Sequence, residues 1–114
     1  RMSQSNFQSI IKDALVTTPT VDEFEAFHKP IYCDVRLPLE YKMEHLPHSI
    51  DIPVGKIRKN LDSFDRSLVY VITPEGGLRS ELAVYLMRQA GIEAYYMDEK
   101  LQSSLPTPQR KIAS

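Results

Sequence analysis

Short apolar blocks alternate along the chain with stretches whose apolar residues recur at helical spacing. Ile31-Tyr32-Cys33-Asp34-Val35, Ser49-Ile50-Asp51-Ile52, Leu68 to Ile72 and Ala94 to Met97 read as strands, and Ala14-Leu15-Val16 is a further short strand candidate. Leu68 to Ile72 is continuously apolar, as in a strand covered on both faces. Between the blocks, Thr20-Val21-Asp22-Glu23 forms a capping-box pattern, opening a helix through Phe24 and Phe27 that must stop before Pro30. A short helical turn is expected over Glu40 to Glu44, and the spacing of Ile57 and Leu61 predicts a helix over Val54 to Leu61. The clearest helix runs from Ser80 to Ala90, with Leu82, Ala83, Leu86, Met87 and Ala90 as its apolar stripe and Gly91 as its C-terminal cap. Strands alternating with helices predict an α/β domain with a mainly parallel central sheet of about five strands flanked by helices. The expected layout is an N-terminal extension over 1–13, one domain over 14–97, and a polar tail over 98–114 that contains Pro106 and Pro108. No internal repeat is visible.

Composition narrows the function classes. With 114 residues the chain suits one domain, and its 42% hydrophobic and 25% charged content is ordinary for a soluble globular protein. The formal net charge is −1 and the 14 basic residues are scattered, so no stripe offers itself to nucleic acid. One cysteine, Cys33, precludes an internal disulfide and a cysteine metal cluster. His28, His45 and His48 fall in no H-E-x-x-H pattern, and neither a metal nor a cofactor is expected. No apolar stretch reaches the roughly 18 residues of a membrane span, and no signal peptide is seen, so a cytoplasmic location without membrane association is expected. The Arg1-Met2 start is compatible with a tag remnant or a domain cut from a longer protein.

The stretch "VITPEGGLRSELA", residues 71–83, carries the candidate chemistry. A strand leads through Thr73-Pro74 into two glycines and then into the strongest helix, the arrangement with which open α/β sheets hold anions beyond the carboxyl ends of their strands. Gly76 and Gly77 permit positive φ, so backbone N–H groups from Glu75, Gly76, Gly77, Leu78, Arg79 and Ser80 can converge. Arg79 offers a fork of donors and Ser80 a cap. A plain strand-to-helix connection explains the same residues, and from them alone the two readings stay open.

Residues 32–53, "YCDVRLPLEYKMEHLPHSIDIP", resemble the first signature of rhodanese-like domains at Asp34, Val35, Arg36, Glu40, Tyr41, His45, Pro47, Ile52 and Pro53. Glu44 and His48 stand where that family usually has glycine. Gly77, Arg79 and Ser80 match the second signature, Cys-x-x-Gly-x-Arg-Ser, and "LMRQAGIEAYYM" follows the family's helix-Gly-strand pattern. The resemblance spans roughly residues 14–97.

The resemblance implies a sulfurtransferase loop whose cysteine carries a persulfide. Counting back from Arg79 puts that cysteine at Pro74, and the longer loop of the related cell-cycle phosphatases puts a nucleophile at Thr73. Neither holds a thiol, and a threonine hydroxyl cannot carry a persulfide. The expected function is therefore a catalytically silent rhodanese-like module that binds a small oxyanion (sulfate, phosphate or thiosulfate) or a protein partner, in some relatives fused to a sensory domain. The alternatives are a sulfurtransferase using Cys33, a phosphatase-like hydrolase using Thr73, and a structural domain without a ligand. The resemblance further implies that Asp34 and Arg36 brace neighbouring loops, and that Glu40 and His45 hold the turn before the next strand. Of Tyr95 and Tyr96, one should face the core and one the surface; the family's closing helix lacks its usual glycines and aromatic residue in "YYMDEKLQSSLP".

Overall fold

A computed structural model describes residues 18–103, so the strand candidate Ala14-Leu15-Val16 lies outside the described residues. The capping box forms as its sequence requires. Glu23 N–H donates to Thr20 Oγ1 at 3.1 Å and Thr20 N–H donates to Glu23 Oε1 at 2.9 Å, starting helix α1 over Val21–Ala26. Strand β1 (Ile31–Asp34) follows, then helix α2 (Pro38–Met43) and the two-residue strand β2 (Ile50–Asp51). Helix α3 (Val54–Ile57) tightens into a 3-10 turn over Arg58–Ser63, where a single helix over Val54 to Leu61 was expected. Asn60, Asp62 and Ser63 compete for backbone hydrogen bonds and are poor helix formers, which accounts for the tightening. Strand β3 (Val69–Ile72), the 3-10 turn Pro74–Gly76, helix α4 (Leu78–Gln89), strand β4 (Glu93–Tyr96) and helix α5 (Glu99–Ser103) complete the order.

The described sheet has four strands, all parallel, in the order β2-β1-β3-β4. The class is α/β as expected. Strand alternation divides the core between two faces. On one, Cys33, Tyr70, Ile72, Ala94 and Tyr96 meet Ile57 and Phe64 and the buried residues of α4. On the other, Val71 packs with Phe24, Met97 and Leu101, bringing α1 and α5 onto the sheet. Tyr96 is buried, whereas Tyr95 is partly exposed and stacks on Phe27 with ring centroids 4.9 Å apart.

Helix α4 starts two residues before Ser80, and its buried face is Ser80, Ala83, Val84 and Met87, one position round from the expected stripe. Ser80 therefore belongs to the core side of the helix. Its end follows the Schellman pattern: Ile92 N–H donates to Met87 O and Gly91 N–H to Arg88 O, with Gly91 at φ +82°. The stretch from Asp98, read as tail, opens with α5, where Leu101 N–H donates to Asp98 Oδ1 at 2.7 Å and Leu101 is buried. His48, standing at a usual glycine, holds φ +66°, the left-handed region that glycine enters without strain. Glu44, at the other such position, has an extended φ of −164° open to any residue.

Candidate functional site

Because all strands are parallel, their carboxyl ends share one side, and the loop after β3 lies there. It is tied to the strand beside it, Thr73 N–H donating to Cys33 O at 2.9 Å. Thr73 and Pro74, the two candidate nucleophile positions, are both buried, Thr73 being only 1% exposed. Thr73 Oγ1 is enclosed without a hydrogen-bond partner. Gly77 adopts φ +56° and ψ −123°, a conformation suited to glycine, and turns the chain into α4. Gly76 is held close: a Cβ there would lie 2.5 Å from Ser80 Oγ and 3.3 Å from Val35 Cγ2.

Two backbone amides of this loop and the side chains of Arg79 and Ser80 are engaged with the protein itself. Gly77 N–H donates to Pro74 O at 3.0 Å and Ser80 N–H to Gly77 O at 3.0 Å, so these two amides turn inward. Ser80 Oγ donates to Thr73 O at 2.7 Å and closes the loop rather than capping the helix, because Gly77 occupies the N-cap and Ser80 falls within the first turn. Arg79 directs its fork at Glu40, with Nη1 2.8 Å from Oε1 and Nη2 3.1 Å from Oε2. The same carboxylate accepts the Leu37 N–H at 3.0 Å. The bonds from Arg79 first, and from Leu37 next, bring the Glu40 pKa down from 4.5 to about 2. An oxyanion reaching the Arg79 fork must therefore displace a bidentate carboxylate.

Asp34 and Arg36 pair with each other at the end of β1. Arg36 Nε donates to Asp34 Oδ1 at 3.0 Å and Nη2 to Oδ2 at 2.7 Å, while Nη2 also reaches Glu44 O at 2.8 Å. The Asp34 and Arg36 side chains are 1% and 10% exposed, so each needs the other to stay charged inside the fold. His45 is buried and stacks on Tyr41 at 3.8 Å, with Nδ1 2.8 Å from Tyr41 O. That contact lies within the segment leading to β2, Tyr41 and His45 being four residues apart. Val35 contacts the Gly76 position and Glu40 bonds Arg79, so the two sequence motifs converge on one loop.

Cys33 lies within β1, fully buried in the core. Burial above all, with the neighbouring Asp34 carboxylate, pushes its thiol up from 9.0 to about 12. Its thiol is therefore enclosed, and its ionisation is disfavoured. Among the described residues no group of three or more His, Cys, Asp or Glu side chains can hold a metal ion, and no helix is long and apolar enough to cross a membrane.

Sequence reasoning missed a groove of about 400 Å³ beside β2, lined in part by Pro38, Ile50, Asp51, Lys56, Phe64 and Tyr70. Asp51 Oδ1 is buried there without a hydrogen-bond partner, and burial, then the Asp34 carboxylate, raises the Asp51 pKa. Ile52 and Pro53 of the first motif line it as well, but the groove forms only when residues from separate elements come together.

Comparison with known proteins agrees with this geometry. The family described as rhodanese-like domain matches residues 20–103. The chain is 35% identical over 77 residues to the adenylyltransferase and sulfurtransferase uba4 of Ogataea parapolymorpha, covering 65% of this chain and 19% of that protein. It is 32% identical over 66 residues to a tRNA sulfurtransferase of Thermoplasma acidophilum, covering 58% of this chain and 13% of that protein. The chain thus spans less than a fifth of either relative. A rhodanese-related protein from Thermoplasma volcanium shares the fold with a TM-score of 0.66 at 22% identity, over 85% of this chain and 98% of that one. With both motifs meeting at the loop after β3 and the match running through α5, the chain belongs to the rhodanese-like domain family.

Proposed function

We propose that this domain is a catalytically silent member of its family and serves as a binding or regulatory module. One observation carries the reading: the loop from Thr73 to Ser80 holds no sulfur atom, and the chain's one thiol is sealed in β1 with its pKa raised to about 12. Sulfur transfer from thiosulfate requires a thiolate to attack the outer sulfur, breaking the S–S bond, releasing sulfite and leaving a persulfide for cyanide to remove as thiocyanate. At neutral pH Cys33 supplies neither the thiolate nor a path to it. Thr73 is equally closed to a substrate.

Of the two binding modes, the pairing of Arg79 with Glu40 and the inward amides of Gly77 and Ser80 weigh against a small oxyanion and favour a protein partner. The competing reading, an active sulfurtransferase, draws on the names of the two relatives. The thiosulfate–cyanide assay separates them. The proposal expects no thiocyanate above the uncatalysed rate in the wild type; turnover that vanishes in Cys33→Ser would establish the enzyme instead. Titration with sulfate or phosphate should leave the amide resonances of Glu75 to Ser80 in place, and saturable shifts there would restore the oxyanion site.

A further inference from the structure

Within the described sheet β2 is an edge strand, with β1 on one side only. Its register pairs Ile50 with Cys33 and Asp51 with Asp34, and Ile52 N–H donates to Asp34 O at 2.9 Å. Backbone groups alternate sides along a strand, so the N–H and C=O of Ile50 and Ile52 face β1 while those of Asp51 face outward. The edge is short. Ser49 N–H donates to Leu46 O, Ser49 O accepts the Tyr41 hydroxyl, and Pro53 has no N–H to give. Asp51 thus presents one donor and one acceptor, enough to pair with a single residue of an extended chain.

The groove of about 400 Å³ adjoins this edge. Ile50 lies opposite Cys33, so its side chain points to the face of the sheet that holds Cys33, Phe64 and Tyr70. Phe64 and Tyr70 are buried and belong to the groove's apolar lining, whereas Ile50, in the same lining, is 40% exposed. Lys56 is exposed there and is the one lysine or arginine of the lining. A strand edge with outward backbone groups beside a pocket suits an extended peptide, whose main chain pairs with the edge while a side chain enters the pocket. The peptide residues on either side of the one that pairs with Asp51 turn their side chains to the groove face. One can fill the apolar part and the other can reach Lys56.

We propose that the groove beside β2 takes an extended segment of a protein partner, in which an aromatic and an acidic residue flank the one that pairs with Asp51. The aromatic ring rests on Ile50 and Phe64, and the carboxylate pairs with Lys56. This rests on the binding-module reading and gives its partner a chemistry, at a surface whose lining does not include the 73–80 loop. The two fail separately: thiosulfate turnover would end the silent reading and leave peptide binding at β2 as it stands.

The test is a titration of the isotope-enriched full chain with the peptide acetyl-Thr-Phe-Thr-Glu-Thr-amide. The amides of Ile50, Asp51, Lys56 and Phe64 should shift saturably, and Asp51 N–H should exchange more slowly with solvent. Methylating the nitrogen of the central threonine removes the donor to Asp51 O, and exchanging phenylalanine for alanine removes the ring; each should weaken binding about tenfold. Lys56→Glu should weaken binding of this peptide and strengthen that of its lysine counterpart. Amides that stay in place at millimolar peptide overturn the proposal, as do shifts that the methylated peptide reproduces undiminished. So does protection of Asp51 N–H that rises with protein concentration in the absence of peptide, which assigns the edge to a second copy.

Discussion

Gly76 and Gly77 set the shape of the loop for different reasons, and substitution separates them. Gly76→Ala forces its methyl against Ser80 Oγ and Val35, and should destabilise by about 1–3 kcal/mol as an overpacked site. Gly77→Ala meets open space but must hold φ +56°, costing roughly 1–2 kcal/mol in backbone strain. Gly55→Ala is the control of opposite sign: it lies in α3 with nothing within 4 Å, and alanine there should stabilise by about 0.5–1 kcal/mol. Urea unfolding of the three variants checks the order. At His48 the same reasoning runs in reverse, and relief of the φ +66° strain in His48→Gly should stabilise by about 1 kcal/mol.

Between elements, the Glu40–Arg79 pair ties α2 to α4 and the Asp34–Arg36 pair ties the end of β1 to the turn after α2. The first is half exposed and should be sensitive to salt. Because the Glu40 pKa is depressed in the fold, its contribution is present above pH 4.5 and is lost as pH falls toward about 2. The stability gap between wild type and Glu40→Gln should therefore close over that window, as acid titration of the unfolding midpoint would show. The second pair is buried, and Asp34→Ala, which strands Arg36, should cost about 3–5 kcal/mol. Neither Glu40 nor Arg79 announces the other across 39 positions of sequence; the family resemblance brought their motifs together, while the bidentate bond emerged from the fold. Strands β1 and β3 were legible from dense apolar runs, and α1 from its capping box. Helix α5 was not, because Leu101 is its one buried residue and the Asp98 cap is a single side chain. The loop could be located from Gly77, Arg79 and Ser80, but the engagement of its donors depends on contacts that no local pattern encodes.

At the scale of the molecule, the loop after β3 keeps the glycine, arginine and serine of the second signature, with Arg79 and Ser80 bonded within the protein and no thiol at its head. The matched relatives are several times longer than this chain, so a domain of this kind is one part of each of them. The Asp34–Arg36 and Glu40–Arg79 pairs hold the segments around the loop to one another. The most direct measurement is the intact mass of the native protein after incubation with thiosulfate. With no thiol in the loop and Cys33 enclosed, the wild type should gain no sulfur. A cyanide-removable sulfur on the wild-type chain, carried by Cys33, would contradict it.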